Sequence, residues 1–125
     1  MAATSKYDFK RAGIVGLEVQ SMAEDNMNSE RYWENRFVAN DWEKYDGGKQ
    51  TMYFADIARK AFPDWFTREL NRNNWTVTDW GCAEGEGTAL LAKAFPNCAF
   101  KGIDFSHTAV EKARNKFPAC DFEVG

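Results

Sequence analysis

Val77-Thr78-Asp79-Trp80-Gly81-Cys82-Ala83-Glu84-Gly85-Glu86-Gly87-Thr88 is the stretch of this 125-residue chain from which the fold is read. Trp75 to Trp80 is rich in Val, Thr and Trp, side chains that suit a pleated strand. A glycine-rich turn follows over 81–87, and Thr88 to Phe95 reads as a helix that Pro96-Asn97 ends. The rhythm then repeats. Cys98 to Ile103 is a second strand, and Ser106 caps a helix over His107 to Phe117 that Pro118 stops. Cys120 to Val124 is a third strand, with Cys120, Phe122 and Val124 on one face. Strands alternating with helices specify a parallel sheet with right-handed crossovers, an α/β arrangement of the Rossmann-like kind. Ligands on such sheets lie at the carboxyl ends of the strands.

Upstream, the pattern is helical. Asn28 or Ser29 caps a helix from Glu30 to Ala39, with Trp33 and Phe37 four apart on one face. Asp41 to Tyr45 adds a turn, and Asp46-Gly47-Gly48 breaks the chain. Lys49 to Phe62 is the clearest helix, with Phe54, Ile57, Ala58, Ala61 and Phe62 forming an amphipathic stripe. That stripe places Phe54, Ile57 and Phe62 in the core. Pro63 ends it, and Asp64 to Leu70 is a further short helix. Residues 1–28 show no sustained periodicity beyond a short helix near Val19 to Ala23. The chain divides into an N-terminal arm and helical cap, 1–74, and the strand-helix repeat, 75–125.

Composition narrows the function. Hydrophobic residues make up 44%, charged residues 28% and aromatics 15%, the profile of a globular domain rather than a disordered chain. Sixteen Lys and Arg against nineteen Asp and Glu leave a net charge of −3, which disfavours a nucleic-acid partner. No apolar run reaches the about 18 residues that a membrane span needs. Cys82, Cys98 and Cys120 have no metal-ligand spacing, and an odd count suits reduced thiols in the cytoplasm.

The loop over 81–87 offers a tight turn and a helix N-terminus. It fails as a dinucleotide fingerprint, because G-x-G-x-x-G started at Gly81 meets Ala83 and Glu86, and started at Gly85 meets Leu90. It fails as a P-loop, because no Gly-Lys-Ser/Thr follows. Glu84 and Glu86, read as solvated loop charges, and Asp79 before them repel a pyrophosphate. A sulfonium nucleoside with an amino-acid tail suits them better. Asp104 ends the second strand 23 residues after Gly81, near the roughly 20-residue spacing of a ribose-binding acid.

Val77 to Val124 resembles class I S-adenosylmethionine-dependent methyltransferases. Asp79, Gly81 and Gly85 match the family's acid-x-Gly-x-Gly-x-Gly motif, with Ala83 in place of the middle glycine. Gly102-Ile103-Asp104-Phe105-Ser106 looks like the second motif. The resemblance implies S-adenosylmethionine as cofactor, held by Asp79, Gly81, Cys82, Ala83, Gly85, Asp104 and Phe105. Asp104 would take the ribose hydroxyls and Phe105 would pack on the adenine. Tyr32-Trp33-Glu34 and Gly47-Gly48-Lys49-Gln50-Thr51 look like the helical cap of a branch acting on small molecules and glycans, with Gln50 and Tyr53 facing the cofactor. The family sheet has seven strands and this chain supplies three, so it looks like the N-terminal half, inactive alone. Its unpartnered first strand implies a homodimer or higher oligomer.

The bland readings are a noncatalytic module that only folds or self-associates, and a dinucleotide-binding oxidoreductase fragment, which the glycine spacing disfavours. No catalytic residue is expected in this half. His107 has no partner in the sequence. Cys82 is read mainly as packing, although a helix N-terminus can lower a thiol pKa. Trp33 and Trp42 are read mainly as core or cap residues, with a cover over the cofactor or substrate as the alternative reading and neither singled out for it.

Overall fold

The computed structural model describes Met27 and residues 29–125. The expected helix near 19–23, and Asn28 as a cap, lie outside the described residues. Helix α1 spans Glu30–Val38, and the Ser29 hydroxyl caps it by accepting from the Tyr32 N–H at 3.1 Å. Asn40, at φ 58°, separates it from α2, Asp41–Lys44. Helix α3 is Gly47–Ala61, and α4 is Asp64–Arg72. Then come β1, Thr76–Trp80; α5, Glu86–Ala94; β2, Ala99–Asp104; α6, His107–Lys116; and β3, Asp121–Val124.

The three strands form one parallel sheet in the order β1-β2-β3. Thr76 lies opposite Ala99 and Trp80 opposite Ile103, while Lys101 lies opposite Asp121 and Asp104 opposite Val124. This is the expected βαβαβ arrangement. One face of the sheet carries the apolar residues. Val77 and Phe100 pack with Phe95, Leu91 and Leu70, and Phe122 packs with Val110, Ala113 and Cys82. The other face carries Thr76, Thr78, Trp80, Asp121 and Glu123, all exposed, and Lys101 pairs there with Glu123. Period-two alternation produces this division.

Two upstream expectations are corrected. Gly47 and Gly48 do not break the chain; they open α3 after Asp46 turns through φ 57°. A Cβ on Gly47 would sit 2.4 Å from the Trp42 ring, so only glycine lets α2 and α3 meet there. Nor is the Phe54 and Ile57 stripe core. Phe54 is 63% and Ile57 44% exposed, whereas Phe62 packs against Phe66 and Phe95. The side of α3 facing α5 is built of small groups, with Thr51 and Ala55 against Gly87. Small residues allow close helix approach, and that contact sets the rotation of α3 in place of the hydrophobic stripe.

Candidate functional site

The site sits where β1 and β2 end. The loop after β1 turns through three residues in the left-handed region: Gly81 at φ 75°, Ala83 at φ 50° and Gly85 at φ 89°. The loop is tied to β2 by its backbone. The Gly81 and Cys82 N–H groups both donate to the Ile103 carbonyl, at 2.8 and 3.1 Å. Asp104 completes the tie through its side chain, one oxygen accepting from the Ala83 N–H and the other from the Ser106 N–H, each at 2.9 Å. Asp79 accepts from the Thr88 hydroxyl at 2.6 Å, stapling the end of β1 to the first turn of α5.

A cavity opens at this point. Gly81, Ala83, Asp104 and Phe105 form its floor, and Trp33, Phe37 and Trp42 form a wall from the helical cap. Four of the residues expected to hold a ligand are thereby brought together. The other three lie behind them. Asp79 faces α5. Gly85 faces the core, since a Cβ there would sit 2.7 Å from the Phe122 ring. The Cys82 side chain is buried with Val110, Ala113 and Phe122. Burial pushes its thiol up to about 12, and the Asp104 and Asp79 charges add to that, so the helix N-terminus does not activate it.

Trp33 and Trp42 line the cavity although neither was singled out from sequence. Their signal was helical spacing, Trp33 with Phe37 and Trp42 with Tyr45, which the ordinary core also produces. The indole Nε1 of Trp42 is buried and has no partner among the described residues. Gln50 and Tyr53 are exposed on α3, with the Gln50 amide donating to the Tyr45 carbonyl, and neither lines the cavity. His107 is exposed at the start of α6.

Glu84 and Glu86 are not solvated charges. Glu84 is fully buried and Glu86 8% exposed. Lys112 lies 3.1 Å from Glu84, and Lys116 pairs with Glu84 and, at 3.2 Å, with Glu86. Both cations come from α6, some 30 residues downstream, so nothing local in the loop announces the burial.

The residues present fit a cationic nucleoside. Asp104 is 6% exposed yet lines the cavity, and each of its oxygens keeps a lone pair beyond the N–H it accepts. A Cβ on Gly81 would meet nothing within 4 Å, so the loop presents bare backbone to the open space. Aromatic faces on the wall suit a flat base or a sulfonium cation.

Residues 71–125 match a family model described as a methyltransferase domain. Curated relatives include trans-aconitate 2-methyltransferase of Azoarcus sp. strain BH72, 32% identical over 74 residues, which is 59% of this chain and 29% of that protein. The enzyme of the same name from Escherichia coli O139:H28 is 41% identical over 71 residues, 57% of this chain and 28% of that one. The matched stretch thus spans under a third of these relatives. Among solved structures, a TehB-like SAM-dependent methyltransferase from Corynebacterium glutamicum aligns at TM-score 0.41 and 19% identity, over 70% of this chain and 46% of that one. The family match covers both the glycine loop and the Asp104 segment that build the cavity floor.

Proposed function

We propose that the cavity between the glycine loop and the aromatic wall holds S-adenosylmethionine, and that the whole protein transfers its methyl group to a small-molecule acceptor. The observation that carries this is the convergence of Gly81, Ala83, Asp104 and Phe105 under Trp33, Phe37 and Trp42. Asp104 accepts from the ribose hydroxyls, and Phe105, 37% exposed, packs on the base. Gly81 and Ala83 bring backbone close to the ligand. Asp79, Cys82 and Gly85 act from behind, by holding the loop's shape. The cofactor supplies an activated methyl on a sulfonium, and the residues here contribute binding, orientation and exclusion of water. The two curated relatives are named for a small carboxylic acid acceptor, which supports a small molecule over a macromolecule. Residues 1–74 act as arm and cap, and 75–125 as the cofactor-binding half.

We place the protein in the cytoplasm. Three free thiols support this. We further propose a homodimer or higher oligomer through the β1 edge.

Calorimetric titration with S-adenosylhomocysteine tests the cofactor reading. Phe105→Ala is the informative variant, because Phe105 is exposed and its loss leaves the fold intact. Binding weakened about tenfold or more by Phe105→Ala is expected, as for loss of a stacked aromatic. Wild-type protein that is folded and binds NADH but not S-adenosylhomocysteine would overturn the reading.

A further inference from the structure

We propose that Lys112 is a positioning residue, whose ammonium pins the aromatic wall and the glycine loop to each other. Its Nζ donates to the Phe37 carbonyl at 2.7 Å, to Asn40 Oδ1 at 2.7 Å and to Glu84 Oε1 at 3.1 Å. An ammonium has three donors, and all three are used. The acceptors come from three separate segments: the end of α1, the residue that opens α2, and the loop after β1. The Phe37 ring is part of the cavity wall, and Glu84 follows Ala83 of the floor.

Burial separates this contact from an ordinary surface pair. Glu84 is wholly enclosed, so its charge must be matched inside the protein. Lys116 supplies the second cation and also reaches Glu43 of α2 at 3.0 Å. Thr108, Lys112 and Lys116 recur every four residues along one stripe of α6. Thr108 donates to Glu34 of α1, so the stripe meets the cap along its length. Lys116 also joins loop to cap, but at α2, whereas Lys112 bonds the carbonyl of Phe37, whose ring is in the cavity wall. Wall and floor therefore move together, and a ligand that orders one orders the other. The functional consequence rests on the cofactor reading above, whereas the mechanical coupling stands without it.

Hydrogen exchange and calorimetry on Lys112→Met, Glu84→Gln and the double variant test this. In Lys112→Met, amides in both 30–45 and 81–88 should exchange about tenfold faster or more, the scale of a lost charged hydrogen bond. Those of β2 and β3 should keep wild-type rates. S-adenosylhomocysteine affinity should fall by a similar factor. The double variant should recover part of the Lys112→Met loss, because the buried charge that lost its Lys112 donor at Glu84 Oε1 is then removed. Wild-type exchange in both segments, or loosening confined to the wall, would overturn the proposal. Should Lys112→Met not fold, Glu84→Gln alone must speed exchange in the wall. Should wild-type protein bind no S-adenosylhomocysteine, the cofactor reading fails, and the exchange result still decides the role of Lys112.

Discussion

Ala83 holds a backbone conformation that suits glycine, at φ 50° in the middle of the loop. A side chain in the left-handed region costs about 1–2 kcal/mol, and glycine gives back about 0.5–1 kcal/mol through its freer unfolded state. Ala83→Gly should therefore raise the melting temperature by about 2–4 °C for a chain of this size. An unchanged or lower melting temperature would mean that the Ala83 methyl contributes more packing than its backbone costs. Gly85→Ala is the opposite case. Its φ is 89°, and the new methyl would lie 2.7 Å from Phe122. Conformational strain and overpacking together should cost more than about 2 kcal/mol in a denaturant titration. The neighbouring Cys82 is inert for a related reason. With its thiol pushed up to about 12, only about one part in ten thousand is thiolate at pH 8. Iodoacetamide should leave Cys82 unmodified in the native protein and alkylate it in denaturant, and native labelling at Cys82 would contradict the buried geometry.

Between elements, the cap is fastened to the sheet half by α6. Glu34 of α1 accepts from the Ser106 and Thr108 hydroxyls at the start of that helix. Burial pushes the Glu34 carboxyl upward, but these hydrogen bonds and the nearby His107 outweigh it and hold it below its ordinary value of 4.5. A depressed carboxyl contributes stability above that ordinary value and loses it as the pH falls through the folded value. The cap should loosen in acid below about pH 4.5, seen in Trp33 and Trp42 emission between pH 6 and 3. Glu34→Gln should remove this acid step, and an unaltered acid profile in that variant would sink the assignment. How much of this was legible in sequence follows from distance along the chain. The β-loop-α-β-α-β order and the meeting of Gly81 with Asp104 were legible, because local propensity and one fixed spacing carry them. The link from Glu84 to Lys112 and Lys116 was not, because it joins residues about 30 apart with no periodic signal. The orientation of α3 was misread for another reason. Its buried side is Gly47, Gly48, Thr51 and Ala55, which leave no hydrophobic mark, while Phe54 and Ile57 do.

For the whole molecule, the proposed self-association turns on the outer edge of β1. Among the described strands β1 pairs with β2 alone, and a strand edge without a strand partner favours pairing. Large apolar side chains lie exposed on the same elements and on the neighbouring helices: Trp80 at 73%, Trp75 at 41%, and Phe54, Ile57 and Trp65 on α3 and α4. Scattered exposed apolar residues are ordinary, but a free strand edge with aromatics on its strand favours association. The charged ladder of Lys101, Asp121 and Glu123 covers the same exposed face over β2 and β3, where it discourages stacking. The proposed self-association should therefore run through β1 and depend on concentration. Light scattering after size exclusion should give a mass above the 14.3 kDa of one chain, rising with loading. Trp80→Lys tests the edge directly. Trp80 is mostly exposed, so its replacement should change monomer stability by no more than about 0.5 kcal/mol. The new charge beside the strand should still oppose pairing and return the chain to monomer. A wild-type monomer at every concentration would end the proposal, and association that survives Trp80→Lys would move the interface away from β1.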